Sequence, residues 1–242
     1  MELISIIMAA YNAEKTIRES IDSVLSQTYR NFELIVVNDG SSDHTAEIVS
    51  SYLSRDHRIQ LIDLPVNGGV SEARLTAAQA AQGQWICILD SDDVWTSDKL
   101  EKQIHLQRQT DAQFLFTGSG FMDANGQALQ GQLHVPAEIT YQKLLDQNLI
   151  SNSSVMLLRE LYLTHYAKGD QMHEDFATWL NILKTGITAY GLDEPLLMYR
   201  LSPVSRSGNK FHAAKMNWHT YRYIGLSPLS ALGHIFFISQ MD

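Results

Sequence analysis

The 242-residue chain has one cysteine, five prolines and fewer cations than anions, 18 Lys and Arg against 27 Asp and Glu. The lone Cys87 lies in an apolar run, so no internal disulfide can form and a reducing, cytoplasmic setting is expected. No apolar stretch is long enough to cross a bilayer. No cationic segment precedes the first apolar run, so neither a spanning helix nor a leader is expected. A formal charge of −9 argues against a nucleic-acid partner. That charge is uneven: after residue 194 the only acid is Asp242, whereas Arg200, Arg206, Lys210, Lys215 and Arg222 supply five cations. Such a stretch suits an anion, either a phosphate or a lipid surface. Two phosphate-binding signatures are also missing. There is no P-loop lysine motif, and Gly118-Ser119-Gly120 lacks the third glycine of a dinucleotide fingerprint.

What is present is a regular first half. Residues 3–10, 33–37, 59–62 and 85–89 are short apolar runs of the kind that parallel sheets bury on both faces. Helical spacing lies between them, over 13–27 (Ile17, Ile21, Val24, Leu25), around Ile48, Val49, Tyr52 and Leu53, and over the Ala-rich 71–82. This alternation predicts an α/β fold, with a Rossmann-like, mostly parallel sheet flanked by helices. Beyond residue 93 the period loosens. Helices are expected near 97–109, 141–147 and 174–185, with strands at 113–121, 154–158, 187–191 and 196–200 and a hairpin turn at Asn125-Gly126. The expected organisation is one domain over 1–210, with a nucleotide-binding half to residue 93 fused to a mixed acceptor-side half over 94–210. An amphipathic helical tail over 211–242 completes the chain.

Three strand ends carry polar clusters: Ala10-Tyr11-Asn12, Asn38-Asp39 and Asp90-Ser91-Asp92-Asp93. In a parallel sheet they share one edge, where open α/β sheets bind ligands. Two carboxylates about 4 Å apart repel by roughly 4 kcal/mol at an effective dielectric of 20, so three in four positions call for a cation. Helix capping explains Asp92 or Asp93 alone, but not Asp90 on the strand side. With no glycine-rich cradle, a metal rather than backbone N–H groups is expected to hold a diphosphate.

In order along the chain, SIIMAAYN, VVNDGSSDHT, NGGVSEAR and ILDSDD, followed by HEDFATWL at 173–180 and Leu197-Met198-Tyr199-Arg200, form a pattern. It resembles the nucleotide-diphospho-sugar glycosyltransferases of family 2, an inverting group with the GT-A fold that includes builders of bacterial envelope polysaccharides. The resemblance implies transfer from a nucleotide sugar, UDP-linked by preference, to a hydroxyl of a saccharide or lipid-linked acceptor. It implies a Mn²⁺ or Mg²⁺ ion held by Asp92 and Asp90. Ala10, Tyr11 and Asn12 would flank base and ribose, and Asp39 would accept from the uracil ring N–H. Ser91, Arg74, Glu174 and Arg200 would line the substrate crevice, and Asp175 would be the general base.

Each role has a plainer counterpart. Tyr11 serves equally for packing, Asp39 for the Asn-Asp-Gly-Ser turn, and Arg74 for a surface pair with Glu72. Glu174 and Asp175 suit any helix N-terminus. The Ser205-Arg206-Ser207-Gly208 stretch reads as a closing loop or a plain solvated one. Residues 211–238, with Phe211, Trp218, Tyr221, Leu229, Leu232, Phe236 and Phe237, read as a peripheral membrane element or as helices packed on the domain or a second subunit. Two other functions compete. A sugar-phosphate nucleotidyltransferase would want a Gly-rich basic loop where Tyr11-Asn12-Ala13-Glu14 stands, and a non-catalytic sugar-nucleotide binder would have no use for intact Asp39, Asp90, Asp92 and Asp175.

Overall fold

The structure, a computed structural model, describes residues 2–201 and 210–238. The Ser205–Gly208 stretch lies outside the described residues, as do the side chains of Phe211, Phe236 and Phe237. The first half alternates β1 (Ile4–Ala10), α1 (Ile17–Leu25), β2 (Phe32–Asp39), α2 (Thr45–Leu53), β3 (Ile59–Leu64), α3 (Val70–Ala80) and β4 (Trp85–Ile88). Strands β3, β2, β1 and β4 lie side by side and all parallel, as expected.

Alternation along each strand splits the apolar residues between two cores. Ile6, Met8, Leu34, Val36, Cys87 and Leu89 face α1 and α2, whereas Ile7, Ile35, Val37, Ile86 and Ile88 face α3. Burial of each such side chain is worth about 1.5–3 kcal/mol relative to leaving it exposed. This accounts for the near-continuous apolar runs. Helix α1 starts four residues later than its pattern suggested. The N–H groups of Ala13 and Glu14 donate instead to Thr45 Oγ1 (2.8 Å) and Asp43 Oδ2 (3.0 Å), which holds this turn against the strand edge.

The second half contains β5 (Val94–Trp95), α4 (Lys99–Thr110), β6 (Phe114–Met122), β7 (Ala128–Leu133), β8 (Glu138–Ile139) and α5 (Tyr141–Asp146). A 3-10 turn (Asn152–Ser154) leads to β9 (Met156–Leu158), α6 (Arg159–His165), α7 (Glu174–Leu183), β10 (Ala189–Arg200), α8 (Lys210–Tyr223) and α9 (Pro228–Ile238). The sheet does not stop at β4. It continues through β9, which is antiparallel to β4, then β6, β10 and β5, so one ten-stranded sheet spans both halves. Asn125-Gly126 does form the turn of the β6–β7 hairpin, with Gly126 at φ +81°.

The structure differs from the sequence pattern at several further places. The strands expected at 187–191 and 196–200 are one strand, β10, whose register shifts on either side of Pro195, a residue with no N–H to place in the ladder. Helix α6 was not foreseen; of its seven residues only Tyr162 is buried, so no periodic face marks it. The two-residue strands β5 and β8 were also invisible. Asp93 opens no helix: it precedes β5, and α4 begins at Lys99.

The inner faces of α8 and α9 pack on the domain itself. Met216, Tyr221, Ile224 and Ala231 are buried, and Tyr221 Oη donates to the Leu145 carbonyl at 3.0 Å. Among the described residues no helix is long and apolar enough to cross a membrane.

Candidate active site

The C-terminal ends of β1, β2 and β4 open onto a cleft of about 1110 Å³. Every residue that the resemblance gave a role lines it: Ala10, Tyr11, Asn12, Asp39, Arg74, Asp90, Ser91, Asp92, Glu174, Asp175 and Arg200. The first two loops are tied together. Asn12, at φ +49°, accepts the Ser42 N–H on its Oδ1 (2.9 Å) and donates its own N–H to Ser41 Oγ (2.9 Å). Tyr11 is half exposed beside them, its ring free of the core.

Asp39 is buried at the end of β2. Its Oδ1 accepts the Gly68 N–H (2.7 Å) and its Oδ2 the Gly69 N–H (2.9 Å). It therefore shapes the Asn67-Gly68-Gly69 turn as well as facing the cleft, and each oxygen retains a lone pair for a further donor. Gly69 has φ +92°, and a Cβ there would come within 2.1 Å of Asp170 Oδ2, so only glycine fits this entry to α3.

Arg74 is not a surface residue paired with Glu72. Its side chain is 9 % exposed and bridges Asp90 and Glu174, a residue 100 positions downstream. The two carboxylates outweigh the cost of burying the guanidinium and hold its pKa well above the ordinary arginine value. Glu174 is thereby a buried partner of Arg74 at the cleft wall. Asp175, next in sequence, also lines the cleft, in the first turn of α7, and its Oδ1 accepts the Phe176 N–H (2.7 Å).

The Asp90–Asp93 loop is gripped from the second half of the chain. Ser153 Oγ accepts the Asp90 N–H (3.0 Å) and donates to Asp93 Oδ2 (2.6 Å). Asn152 Nδ2 donates to Asp90 Oδ1 (3.1 Å). The other oxygen of Asp93 accepts the Arg200 N–H (3.0 Å), and Arg200 Nε donates to the Asp92 carbonyl (2.7 Å) while its Nη2 pairs with Glu19 (2.6 Å). Sequence reasoning gave Asn152 and Ser153 no role in holding this loop and left Asp93 to helix capping. Ser153 is buried beneath the loop. The available signal was local: Asn and Ser clustered before an apolar run favour turns that donate sideways. Ser153→Ala leaves two buried groups without a partner. It is expected to lower unfolding free energy by about 1–3 kcal/mol, read as a fall in the denaturant midpoint.

Asp92, like the buried Asp93 beside it, has a pKa held above the usual carboxylate range. Burial first, and the charge of Asp90 second, push its pKa up to about 6. Its ionised form thus lacks a full counter-charge, whereas Asp90 is already engaged by Arg74 and Asn152. This donor set fits a divalent ion that takes one or two carboxylates and fills its remaining positions with phosphate and water oxygens. Among the described residues no group of three or more His, Cys, Asp or Glu side chains is arranged to hold a metal alone.

Comparison with known proteins gives a consistent picture. The family model described as glycosyl transferase family 2 matches residues 5–160. A Bacillus subtilis protein named for teichuronic acid biosynthesis, TuaG, is 40% identical over 222 residues, 92% of this chain and 88% of its own. WfgD of Escherichia coli, a UDP-Glc:α-D-GlcNAc-diphosphoundecaprenol β-1,3-glucosyltransferase, is 38% identical over 234 residues, 96% of this chain and 90% of its own. In fold, the chain superposes on Staphylococcus aureus TarS solved with UDP-GlcNAc at a TM-score of 0.75 and 19% identity, covering 98% of this chain and 72% of that one. It also superposes on the mannosyltransferase PcManGT of Pyrobaculum calidifontis, solved with GDP-Man and Mn²⁺, at a TM-score of 0.72 and 16% identity, covering 98% of this chain and 69% of that one. The motif order, the aspartate loop at the strand edge and the extent of these matches agree: the chain is a glycosyltransferase of family 2, with a GT-A-type α/β fold.

Proposed function

We propose that the chain transfers a sugar, with inversion at the anomeric carbon, from a UDP-linked donor to a hydroxyl of a saccharide carried on a lipid diphosphate, during assembly of an envelope polysaccharide. The observation that carries this reading is the single cleft in which Arg74 joins the Asp90–Asp92 loop to the Glu174-Asp175 turn. A donor site and a candidate base then face one another, which is what in-line displacement requires. The substrates named for WfgD support a UDP-linked donor and a lipid-linked acceptor.

In this reading Ala10, Tyr11 and Asn12 flank the base and ribose, and Asp39 accepts the uracil N–H with a lone pair left over from Gly68 and Gly69. Asp92, with Asp90 beside it, holds Mn²⁺ or Mg²⁺. Bound there, the ion supplies Lewis-acid stabilisation of the diphosphate charge. Ser91 lies against the donor between them. Arg200 fixes the Asp92 carbonyl and so the reach of its carboxylate. Asp175 takes the acceptor hydroxyl proton as that oxygen attacks the face of the sugar opposite UDP.

The test is incubation with UDP-glucose or UDP-GlcNAc, Mn²⁺ and GlcNAc-α-diphosphoundecaprenol, reading UDP release and the anomeric configuration of the product. A β-linked product from the α-linked donor supports the proposal. Pyrophosphate release from UTP and a sugar phosphate, or binding without turnover, would overturn it. The metal arm has its own readout. Mn²⁺ with UDP at a hundred times its Kd is expected to stabilise by about 2.7 kcal/mol, a melting shift of roughly 5–10 °C. Asp92 keeps its proton up to about pH 6, so a cation competes with that proton in acid. The shift is therefore expected to shrink between pH 7 and pH 5, as followed by thermal melting.

The outer face of the tail supports a peripheral contact with an anionic membrane. Leu229 is 84% and Leu232 55% exposed, near the exposed Tyr223 and Arg222. Because Tyr221 is part of the core, deleting the tail would damage the domain. Leu229→Glu with Leu232→Glu is the cleaner variant, and weaker sedimentation with phosphatidylglycerol vesicles is its expected result.

A further inference from the structure

The C-terminal end of helix α8 is attached to α7 and its flanking residues at three points. Thr220 Oγ1 accepts the N–H of His173, the residue just ahead of α7, at 3.0 Å, and donates to the Met216 carbonyl at 3.0 Å. Tyr221 sets its ring edge-on to Phe176, with centroids 5.8 Å apart and planes at 78°. Lys184 Nζ, at the far end of α7, donates to the Ile224 carbonyl at 3.2 Å. The first two contacts fall on residues 173 and 176, immediately either side of Glu174-Asp175. Thr220 is fully buried and both hydrogen-bonding capacities of its hydroxyl are engaged.

We propose that Thr220 is a positioning residue for the transfer reaction: through the His173 N–H it sets where α7 begins, and thereby where the Asp175 carboxylate stands in the cleft. The inference rests on Asp175 acting as the base. A helix start is the part of a helix most free to fray, since its first N–H groups have no intrahelical acceptor. Here the turn that carries Asp175 is pinned from outside by a hydroxyl 45 or more residues away in sequence. Among the described residues no donor-side side chain contacts Thr220 itself: Asp39 and the Asp90–Asp93 loop are held by Gly68, Gly69, Ser153 and Arg200, and the link from the α7 start to the donor side is the pair of Glu174 with Arg74. Loss of the hydroxyl is therefore expected to act on kcat more than on donor capture, which it reaches through the Glu174–Arg74 pair. It also gives the tail a part in the reaction besides any surface it presents outward.

The experiment compares Thr220→Val, which keeps volume and removes the hydroxyl, with Thr220→Ser, which keeps the hydroxyl. UDP release is measured from UDP-glucose with Mn²⁺ and GlcNAc-α-diphosphoundecaprenol, at a temperature where circular dichroism shows all proteins folded. Misplacing a reacting group by about 1 Å costs up to a hundredfold, so kcat of Thr220→Val is expected to fall between about ten- and a hundredfold. Its donor KM should stay within twofold, and Thr220→Ser should stay close to wild type. Should Thr220→Val not fold, Thr220→Ala carries the same comparison. Wild-type kcat in the hydroxyl-free variant, a donor KM that rises in step with the loss, or equal impairment in Thr220→Ser would each overturn the inference. With Asp175→Asn inactive, such a result leaves the base reading standing. An active Asp175→Asn overturns both, because Thr220 then has no base to position.

Discussion

Asp175→Asn is expected to lower kcat by about 10²–10⁴-fold, the range that a positioned general base contributes, while leaving donor affinity within a fewfold of wild type. The substitution is nearly isosteric and keeps an oxygen able to accept the Phe176 N–H, which preserves that contact at the start of α7. What it removes is the capacity to take a proton at neutral pH. UDP release under saturating donor and acceptor measures the loss, and a melting shift on adding UDP with Mn²⁺ measures the binding that should survive. Turnover near wild type in a variant that still binds UDP would take Asp175 out of the mechanism.

The largest effect on stability is expected at Arg74. Its guanidinium stands between Asp90 and Glu174, with Asp175 also close enough to contribute to its raised pKa. Arg74→Met keeps much of the volume and takes the guanidinium charge away from those carboxylates. Breaking a buried pair on one side costs about 3–5 kcal/mol, which for a chain of this size is a melting fall of roughly 6–20 °C. Arg74→Lys should recover only part, because an ammonium cannot bridge two carboxylates with a planar fork. Adding Glu174→Gln to Arg74→Met should recover more, since it removes the most buried of the stranded charges. Thermal melts of the four proteins check the order. A single Arg74→Met variant as stable as wild type would mean that the carboxylates had protonated or found other partners.

Much of this could be read from the sequence because the physics there is local. Strands β1, β2 and β4 are buried on both faces, so their residues are apolar without alternation, and their polar ends mark one sheet edge. That was enough to bring Asn12, Asp39 and Asp90 to one cleft. The later strands carry no such mark. β10 is broken in register around Pro195, β7 is mostly exposed, and α6 buries little. The pairing of Arg74 with Glu174, and of Asp90 and Asp93 with Ser153, spans 60–100 positions, and no spacing rule links residues that far apart. The same limit applies to the tail. Its aromatic residues gave an amphipathic pattern, but only the contact of Tyr221 with Phe176 and Leu145 shows which body receives that face.

The antiparallel pairing of β4 with β9 determines which stretch of this chain can be exchanged with a relative. A recombination joint at residue 93 would make Trp85, Ile86 and Cys87 pair with a β9 drawn from the other parent, and a poor fit there weakens the pairing that joins the two parts of the sheet. It would also part Asp90 and Asp93 from Asn152 and Ser153. A joint placed just after β9, which ends at Leu158, keeps the aspartate loop together with Asn152 and Ser153, and leaves Arg200 as its contact from beyond the joint. The family match ends at residue 160, two positions beyond that strand. The transferable cassette is thus the first four strands together with Asn152 and Ser153, and whatever is joined from α6 onward must still bring Glu174 to Arg74 and Arg200 to Asp93.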